Sequence, residues 1–381
     1  MAIRTELTRR DFLKLSAGST AALGLLLFKF PNFEKLFAAK VAEVPVIWFH
    51  AGSCNGCSVS ILNSLSPRIQ DVLVNQVVPG NHISLRFHPT VMAASGELAM
   101  KAIEDTARMK GSYVLIIEGA VSSKDKGIYC EVGEKNGQGV PALEQVIALG
   151  RDAMAVIALG ACGYGGIPGA APNTTGCKGV REILTENGVK TPVINLPGCP
   201  PHPDWFVGTV ATVLIGGLGA VTLDDMGRPT AFYGKLIHDN CPRRAYFDQG
   251  KFAQKHSEPY CMFELGCKGP VTYSDCPTRM WNSGTNWCVG ASSPCIGCCH
   301  PGFPDKVAPF RRVEQLESLT PPSWYPPIEK EKTQLKEAKG INPGLAAGIG
   351  AAAGIAAGAV GVAVAKRGAK PKEKPDKKAG D

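Results

Sequence analysis

The sequence predicts an α/β protein, in which a doubly wound domain with a parallel sheet precedes an irregular second domain. Three observations support this fold class. Four short apolar runs recur in the first half, segments with helical spacing separate them, and Gly, Pro and Cys become frequent after about residue 236. Because 44% of the 381 residues are hydrophobic, the chain can bury a substantial core.

The predicted strands are nearly continuous apolar runs, as expected of strands buried on both faces of a parallel sheet. They are VPVIWFH (44–50), YVLIIEG (113–119), AMAVIALG (153–160) and TPVINLPG (191–198). Segments 95–110 and 141–151 have helical patterns, so strands and helices alternate along this part of the chain. We expect the first domain to cover residues 43–235 and the second to cover residues 236–319.

The N-terminal residues 1–42 predict an export signal. The charged stretch TRRDFLK (8–14) is followed by an apolar run (15–28) and by small residues at 38–39. The paired arginines are typical of a twin-arginine signal, which implies a partnership with the twin-arginine export machinery. An ordinary amphipathic first helix is the alternative. Signals of this type imply export of a folded protein, so cysteines that bind a cofactor in the cytoplasm need not become disulfides outside.

The C-terminal residues predict a single membrane anchor. Segment 344–365 has 22 residues without a charge, and at roughly 1.5 Å per residue it spans about 33 Å, against a hydrocarbon core of about 30 Å. The basic tail, 366–381, favours the cytoplasmic side, which places the body on the periplasmic side of the cell membrane. Residues 320–343 are Pro-rich and charged and predict a linker. A flexible Ala/Gly segment is the alternative to the transmembrane helix.

The net charge gives no sign of a nucleic-acid partner. The formal charge is +8, but residues 1–39 hold six Lys/Arg against three Asp/Glu, and residues 366–381 hold seven against three. About +1 therefore remains for the body of the chain, which lacks the basic footprint of a nucleic-acid-binding domain.

Four cysteines of the first domain follow predicted strands. Cys54 and Cys57 come after the first strand, Cys162 after the third and Cys199 after the fourth. Ligands bind at the carboxyl edge of open α/β sheets, so these loops are expected to converge there. Four thiolates suit a tetrahedral metal or a [4Fe-4S] cluster, and nearby glycines permit close backbone approach.

Motifs in the same region resemble the small subunit of a nickel-iron hydrogenase. They are CNGCSVSIL (54–62), EGAV (118–121), GACGYGGIPGAAPN (160–173) and NLPGCPPHPDW (195–205). The resemblance runs from about residue 45 to residue 309. It implies a flavodoxin-like first domain, a proximal [4Fe-4S] cluster on Cys54, Cys57, Cys162 and Cys199, and a nickel-iron centre on a separate large subunit.

The resemblance also implies two clusters in the second domain, which would stabilise a region rich in loops. The distal [4Fe-4S] cluster is expected on His238, Cys241, Cys261 and Cys267, within HDNC (238–241) and YCMFELGC (260–267). In isolation His238 would be a core histidine, the interpretation that we favour for His50 and His88. A neutral imidazole ligand tends to raise the potential of a cluster.

The medial cluster is expected on Cys276, Cys295 and Cys298, with Cys288 as the fourth ligand. In the family this cluster is commonly [3Fe-4S], with a proline where Cys288 stands. A fourth thiolate predicts [4Fe-4S], which resembles the nickel-iron-selenium branch, as does Val59. Cys288 as a small hydrophobic residue is the alternative, which would leave the medial cluster as [3Fe-4S]. Cys130, Cys177 and Cys299 match no ligand position and are expected to be buried thiols.

The predicted function is therefore electron transfer. We expect the electron-transfer subunit of a membrane-bound uptake hydrogenase, which passes electrons from dihydrogen oxidation to a membrane cytochrome b or quinone module, or to a multihaem cytochrome c. No catalytic residue is expected in this chain. Two alternatives belong to other classes: a quinone-oxidoreductase subunit related to the respiratory complex, and a surface protein held by disulfides or zinc.

Overall fold

A computed structural model describes residues 42–65, 67–68, 71, 81–135, 137–167 and 172–313. These residues belong to one compact unit of the chain. The predicted export signal up to residue 41 and the predicted linker, transmembrane helix and tail (320–381) lie outside them. Within the described ranges, no helix has the length and apolar character needed to cross a bilayer.

The strands of the described ranges form one large sheet and two small ones. In chain order they are β1 (Ala42–His50), β2 (Asn81–Phe87), β3 (Val114–Glu118), β4 (Val121–Ser122), β5 (Glu131–Lys135), β6 (Gln138–Pro141), β7 (Ala155–Leu159), β8 (Cys177–Lys178) and β9 (Val193–Leu196).

The helices alternate with strands along the first half of the chain, and those after residue 216 are short. They are α1 (Gly56–Leu62), α2 (Gly96–Ala107), α3 (Ala142–Asp152), α4 (Gly160–Gly165), α5 (Val180–Glu186), α6 (Pro203–Gly216), α7 (Thr230–Tyr233), α8 (Arg244–Asp248) and α9 (Cys276–Arg279). Single 3-10 turns cover Lys124–Gly127, Leu218–Ala220, His238–Asn240, Met262–Leu265 and Gly269–Val271.

The large sheet is parallel and has the strand order β2-β1-β3-β7-β9. All four predicted strands are present, which confirms the α/β fold with a parallel sheet. Strand β2, NHISLRF, was not predicted, because this edge strand alternates polar and apolar residues and does not form an apolar run. The register aligns His50 with Glu118, Glu118 with Leu159, and Leu159 with Leu196, so these strands end together at one edge.

The core has two parts, one on each face of the sheet. Successive side chains of a strand point to opposite faces, so Val46 and Trp48 pack in one part while Ile47 and Phe49 pack in the other. The part that contains Trp48 also contains residues from beyond position 236, such as Met262. The irregular region is therefore packed against one face of the parallel sheet.

The region after residue 236 is irregular, as the sequence predicts. Its helices and 3-10 turns have three to five residues each. Such short elements bury few backbone hydrogen bonds, so side-chain packing and bound groups must hold the loops. The boundary at 235/236 stays a prediction, because the described residues on both sides share one core.

Candidate functional site

The first group of predicted ligands meets at the carboxyl edge of the sheet. Cys54 lies just before α1, Cys57 lies in α1, Cys162 lies in α4, and Cys199 follows β9. Burial raises the pKa of the Cys57 thiol strongly, and the nearby Glu118 and the other three thiols raise it further. Burial and the Cys199 and Cys54 thiols raise the pKa of Cys162 to about 12. The fold therefore brings together four thiols from three loops.

Glycine at position 160 makes this convergence possible. Gly160 has a φ of +86°, which disfavours residues with a side chain, and a Cβ at this position would lie 2.5 Å from Sγ of Cys57. The next residue, Ala161, donates its N–H to the carbonyl oxygen of Gly198 at 2.7 Å. This hydrogen bond joins the loops that carry Cys162 and Cys199.

A buried carboxylate lies beneath the Cys54–Cys57 loop. Oε1 of Glu118 accepts the N–H of Cys57 at 3.2 Å, and Oε2 accepts the hydroxyl of Ser58 at 2.5 Å. Trp48 Nε1 donates to the same carboxylate at 3.1 Å, and His50 Nε2 lies 3.1 Å from it. Burial alone would raise the pKa of Glu118, but these hydrogen bonds outweigh burial and lower it to about 2. Glu118 is thus ionised at neutral pH.

The second group of predicted ligands surrounds a small cavity. Its lining includes all four predicted distal ligands, His238, Cys241, Cys261 and Cys267. Burial raises the pKa values of Cys241 and Cys261 to about 11, and the Cys267 thiol adds to both shifts. These thiols are therefore close enough to influence one another.

His238 supplies an independent sign that this cavity binds a group. Nε2 of His238 is one of the few buried side-chain nitrogen or oxygen atoms of the described residues that have no hydrogen-bond partner. Burial lowers the pKa of the imidazole to about 4, so the ring is neutral and can act as a metal ligand. A neutral nitrogen without a partner beside three thiols fits an iron-sulfur cluster with mixed ligands.

The third group is formed by Cys276, Cys288, Cys295 and Cys298. Burial, then the thiols of Cys298 and Cys288, raise the pKa of Cys276 to about 12. Burial and the Cys298 thiol likewise raise the pKa of Cys288. Cys288 is exposed, whereas Cys276 and Cys295 are buried. The structure thus places Cys288 with the other three thiols, and its role as a ligand stays a prediction.

The three groups follow one another in space. The contact with the Cys299 thiol, 4.0 Å away, lowers the pKa of Cys298, and the backbone N–H of Cys199 acts in the same direction. The first group therefore adjoins the third through Cys199 and Cys298. Burial and the thiol of Cys267 raise the pKa of Cys295 well above its usual range, so the third group adjoins the second.

The remaining cysteines lie outside these groups. All fourteen cysteines are within the described ranges, and none forms a disulfide. The Cys299 thiol is buried and donates to the carbonyl oxygen of Pro197 at 3.6 Å. Cys130 and Cys177 are only half-buried, which differs from the expectation of fully buried thiols, because their segments lie near the surface.

Within the described side chains, no set of three or more His, Cys, Asp or Glu residues is arranged to hold a single metal ion.

Sequence reasoning did not predict that two charged residues, Glu118 and Lys268, are buried beside the candidate ligands. The EGAV motif marked the position of Glu118, but its donors lie up to 70 residues away in the chain. Lys268 gave no signal, because a lysine in a loop is ordinarily exposed.

Two parts of the body match known protein families. Residues 233–311 match the C-terminal region of the NiFe/NiFeSe hydrogenase small subunit. Residues 54–213 match the 20 kDa subunit of NADH ubiquinone oxidoreductase. This second match fits the expectation that the first domain is shared with respiratory quinone oxidoreductases, whereas the match over residues 233–311 distinguishes the hydrogenase family.

The periplasmic [NiFeSe] hydrogenase small subunit of Desulfomicrobium baculatum is 42% identical over 321 residues, which cover 81% of this chain and all of that protein. This chain belongs to the NiFe/NiFeSe hydrogenase small-subunit family. The uptake hydrogenase small subunit of Azotobacter vinelandii is 36% identical over 90% of this chain and 92% of its own length.

Solved structures agree with the small-subunit fold. The H2-activated [NiFeSe] hydrogenase of Dm. baculatum aligns with a TM-score of 0.67 at 42% identity, over 72% of this chain and 100% of that chain. The actinobacterial-type NiFe hydrogenase of Ralstonia eutropha H16 aligns with a TM-score of 0.66 at 28% identity, over 92% of this chain and 99% of that chain.

Family membership confirms the main functional expectations. A hydrogenase small subunit carries iron-sulfur clusters and works with a large subunit that holds the nickel-iron active site. Residues 6–25 match the twin-arginine translocation signal, which confirms the predicted export to the periplasm.

Proposed function

We propose that this chain conducts electrons out of a periplasmic uptake hydrogenase through three bound iron-sulfur clusters. The spatial succession of the three cysteine groups is the observation that carries the proposal. The first group adjoins the third, where the Cys299 thiol donates to the carbonyl oxygen of Pro197 at 3.6 Å. The third adjoins the second, where the N–H of Lys268 donates to the carbonyl oxygen of Cys295 at 2.8 Å. One-electron transfer is the chemistry that such clusters supply when bound.

Each group supplies four donors of the right type for a four-iron cluster. We propose that the proximal site is formed by Cys54, Cys57, Cys162 and Cys199, the medial site by Cys276, Cys288, Cys295 and Cys298, and the distal site by His238, Cys241, Cys261 and Cys267. In the proximal site, Glu118 fixes the ligand loop by accepting the N–H of Cys57. In the distal site, the unpartnered Nε2 of His238 is available to bind iron.

The large subunit is proposed to dock beside the proximal site. Val59, Leu62 and Leu65 expose 56%, 53% and 64% of their surface next to the Cys54–Cys57 loop. Large apolar side chains clustered in this way mark protein interfaces. A partner at this face would also shield Cys54, which is exposed in the isolated chain.

The acceptor side is proposed to lie at the membrane. Residues 344–365 have the length and lack of charge of a single transmembrane helix, which would hold the body on the periplasmic side with the tail in the cytoplasm. The electron acceptor is then a membrane cytochrome b or quinone module, with a multihaem cytochrome c as the soluble alternative.

Chemical analysis of the purified heterodimer tests the proposed cofactors. Three [4Fe-4S] clusters predict about twelve iron and twelve acid-labile sulfide atoms per small subunit, after the metal of the large subunit is subtracted. A preparation that oxidises dihydrogen but holds only about four iron atoms on this chain would contradict the three-cluster relay. A stable preparation of this chain that oxidises dihydrogen without a large subunit would contradict the assignment of the nickel-iron centre to that subunit.

A further inference from the structure

Two charged side chains are buried beside the proposed ligands without being ligands themselves. Glu118 is 1% exposed and Lys268 is 2% exposed. Glu118 contacts the loop of the proximal site, where electrons enter. Lys268 follows Cys267 of the distal site and contacts Cys295 of the medial site. The two opposite charges therefore lie at different points along the proposed path.

The negative charge of Glu118 is stabilised by hydrogen-bond donors, chiefly His50, Ser58 and Trp48. Thr90 donates its N–H to Nδ1 of His88, so Nε2 of His88 carries the ring proton and donates to the Ser58 hydroxyl. Ser58 in turn donates to Oε2 of Glu118. Within the described residues, His50 is the one basic side chain at ion-pair distance from Glu118, and no Lys or Arg pairs with it. The carboxylate thus keeps its charge without a permanent cation beside it.

The side chain of Lys268 packs on the loop between Cys295 and Cys298, where a Cβ on Gly297 would lie 2.9 Å from Cβ of Lys268. Its Nζ donates to the carbonyl oxygen of Arg311, and its backbone N–H donates to the carbonyl oxygen of Cys295 at 2.8 Å. Burial lowers the pKa of Lys268, and the thiols of Cys267 and Cys295 act in the opposite direction. No carboxylate among the described residues forms an ion pair with it. Lys268 therefore lies on the loops that carry the proposed medial and distal ligands.

We propose that Glu118 and Lys268 form an electrostatic gradient that favours electron movement from the proximal site towards the medial and distal sites. This inference rests on the proposed function. A reduced cluster carries one more negative charge than an oxidised one, so a buried carboxylate disfavours reduction beside Cys57 and a buried ammonium favours it beside Cys295 and Cys267. Each transfer oxidises the proximal site by one electron and reduces the medial site by one. Both residues act through neighbouring ligands and are positioning residues.

Reduction potentials of the complete heterodimer test the gradient. The variants Glu118→Gln and Lys268→Met remove one charge each, and potentials are measured by redox titration followed by electron paramagnetic resonance. We expect Glu118→Gln to shift the proximal potential to a more positive value. We expect Lys268→Met to shift the medial or distal potential to a more negative value while the proximal potential changes least.

Matched variants separate charge from packing. Glu118→Asp and Lys268→Arg keep the charges and should keep the potentials near the wild-type values. Glu186→Gln and Lys101→Met remove exposed charges and should change no potential, because water screens them.

The measured potentials and iron contents test the electrostatic gradient and the three-cluster relay separately. Unchanged potentials in Glu118→Gln and Lys268→Met with full iron content would overturn the gradient and leave the relay intact. Failure of the wild-type chain to bind iron would overturn the relay itself. If a charge-removing variant and its charge-keeping counterpart both fail to bind iron, the residue serves the fold, and the gradient is rejected at that residue.

Discussion

The backbone N–H of Lys268 donates to the carbonyl oxygen of Cys295 at 2.8 Å. This hydrogen bond ties the residue that follows the proposed distal ligand Cys267 to a proposed medial ligand. Since the two residues are 27 positions apart in the sequence, the contact fixes how two separate loops lie against each other. The closeness of the medial and distal sites is thus fixed in part by the backbone of the folded chain.

Cys288 is expected to decide the composition of the medial cluster. A cubane needs four protein ligands, so Cys288→Pro should convert a [4Fe-4S] site into a [3Fe-4S] site. Electron paramagnetic resonance of the oxidised heterodimer should then show the nearly isotropic signal of a three-iron core, which wild type lacks. Cys130→Ala is the matched control, because this half-buried thiol lies outside the three groups and should leave the spectrum unchanged. A full three-iron signal in wild type would show that Cys288 is not a ligand.

His238 is expected to be required for the distal cluster. His238→Ala removes the unpartnered Nε2 from the cavity, so the purified heterodimer should lose up to a third of the small-subunit iron. Electron transfer to an external acceptor should fall with it. His256→Ala is the control, since this exposed ring bonds the carbonyl oxygen of Ser292 away from the cavity. Full iron content and an unaltered spectrum in His238→Ala would exclude His238 as a ligand.

Gly160 is expected to be essential for the proximal site. Gly160→Ala combines an unfavourable φ of +86° with a Cβ only 2.5 Å from Sγ of Cys57. Gly188→Ala has a similar φ of +67° but nothing within 4 Å of the new Cβ, so it should cost only the backbone strain of about 1 kcal/mol. Thermal unfolding and iron analysis compare the two variants. Equal stability and equal iron content would show that the Cys57 loop can move aside.

Export and membrane attachment are expected to depend on the two ends of the chain. Arg9→Lys combined with Arg10→Lys should leave the precursor in the cytoplasm, because the paired arginines are the recognised feature of the signal. Removal of residues 344–381 should release an active heterodimer from the membrane, because the proposed anchor is lost. Cell fractionation with hydrogen-oxidation assays measures both effects. If the truncated protein stays on washed membranes, attachment comes from another chain.

The sequence by itself determined the doubly wound sheet and the positions of most candidate ligands. Local patterns carry this information: apolar runs such as YVLIIEG become buried strands, and Cys162 and Cys199 follow strands directly. Strand β2 was missed because its alternating pattern is that of an edge strand and not of a buried one. The spacing of cysteines could not show which thiols face each other, because that depends on how loops converge.

Only the tertiary structure decided the order of the three cysteine groups and the surroundings of the buried charges. Cys199 adjoins Cys298 although 99 positions separate them in the sequence. Glu118 receives its donors from strand β1 and helix α1, and Lys268 is buried by loops that no local pattern predicts. The physical reason is that local sequence patterns determine which segments form strands or helices. The burial of a side chain and the charges around it depend on segments that meet only after folding.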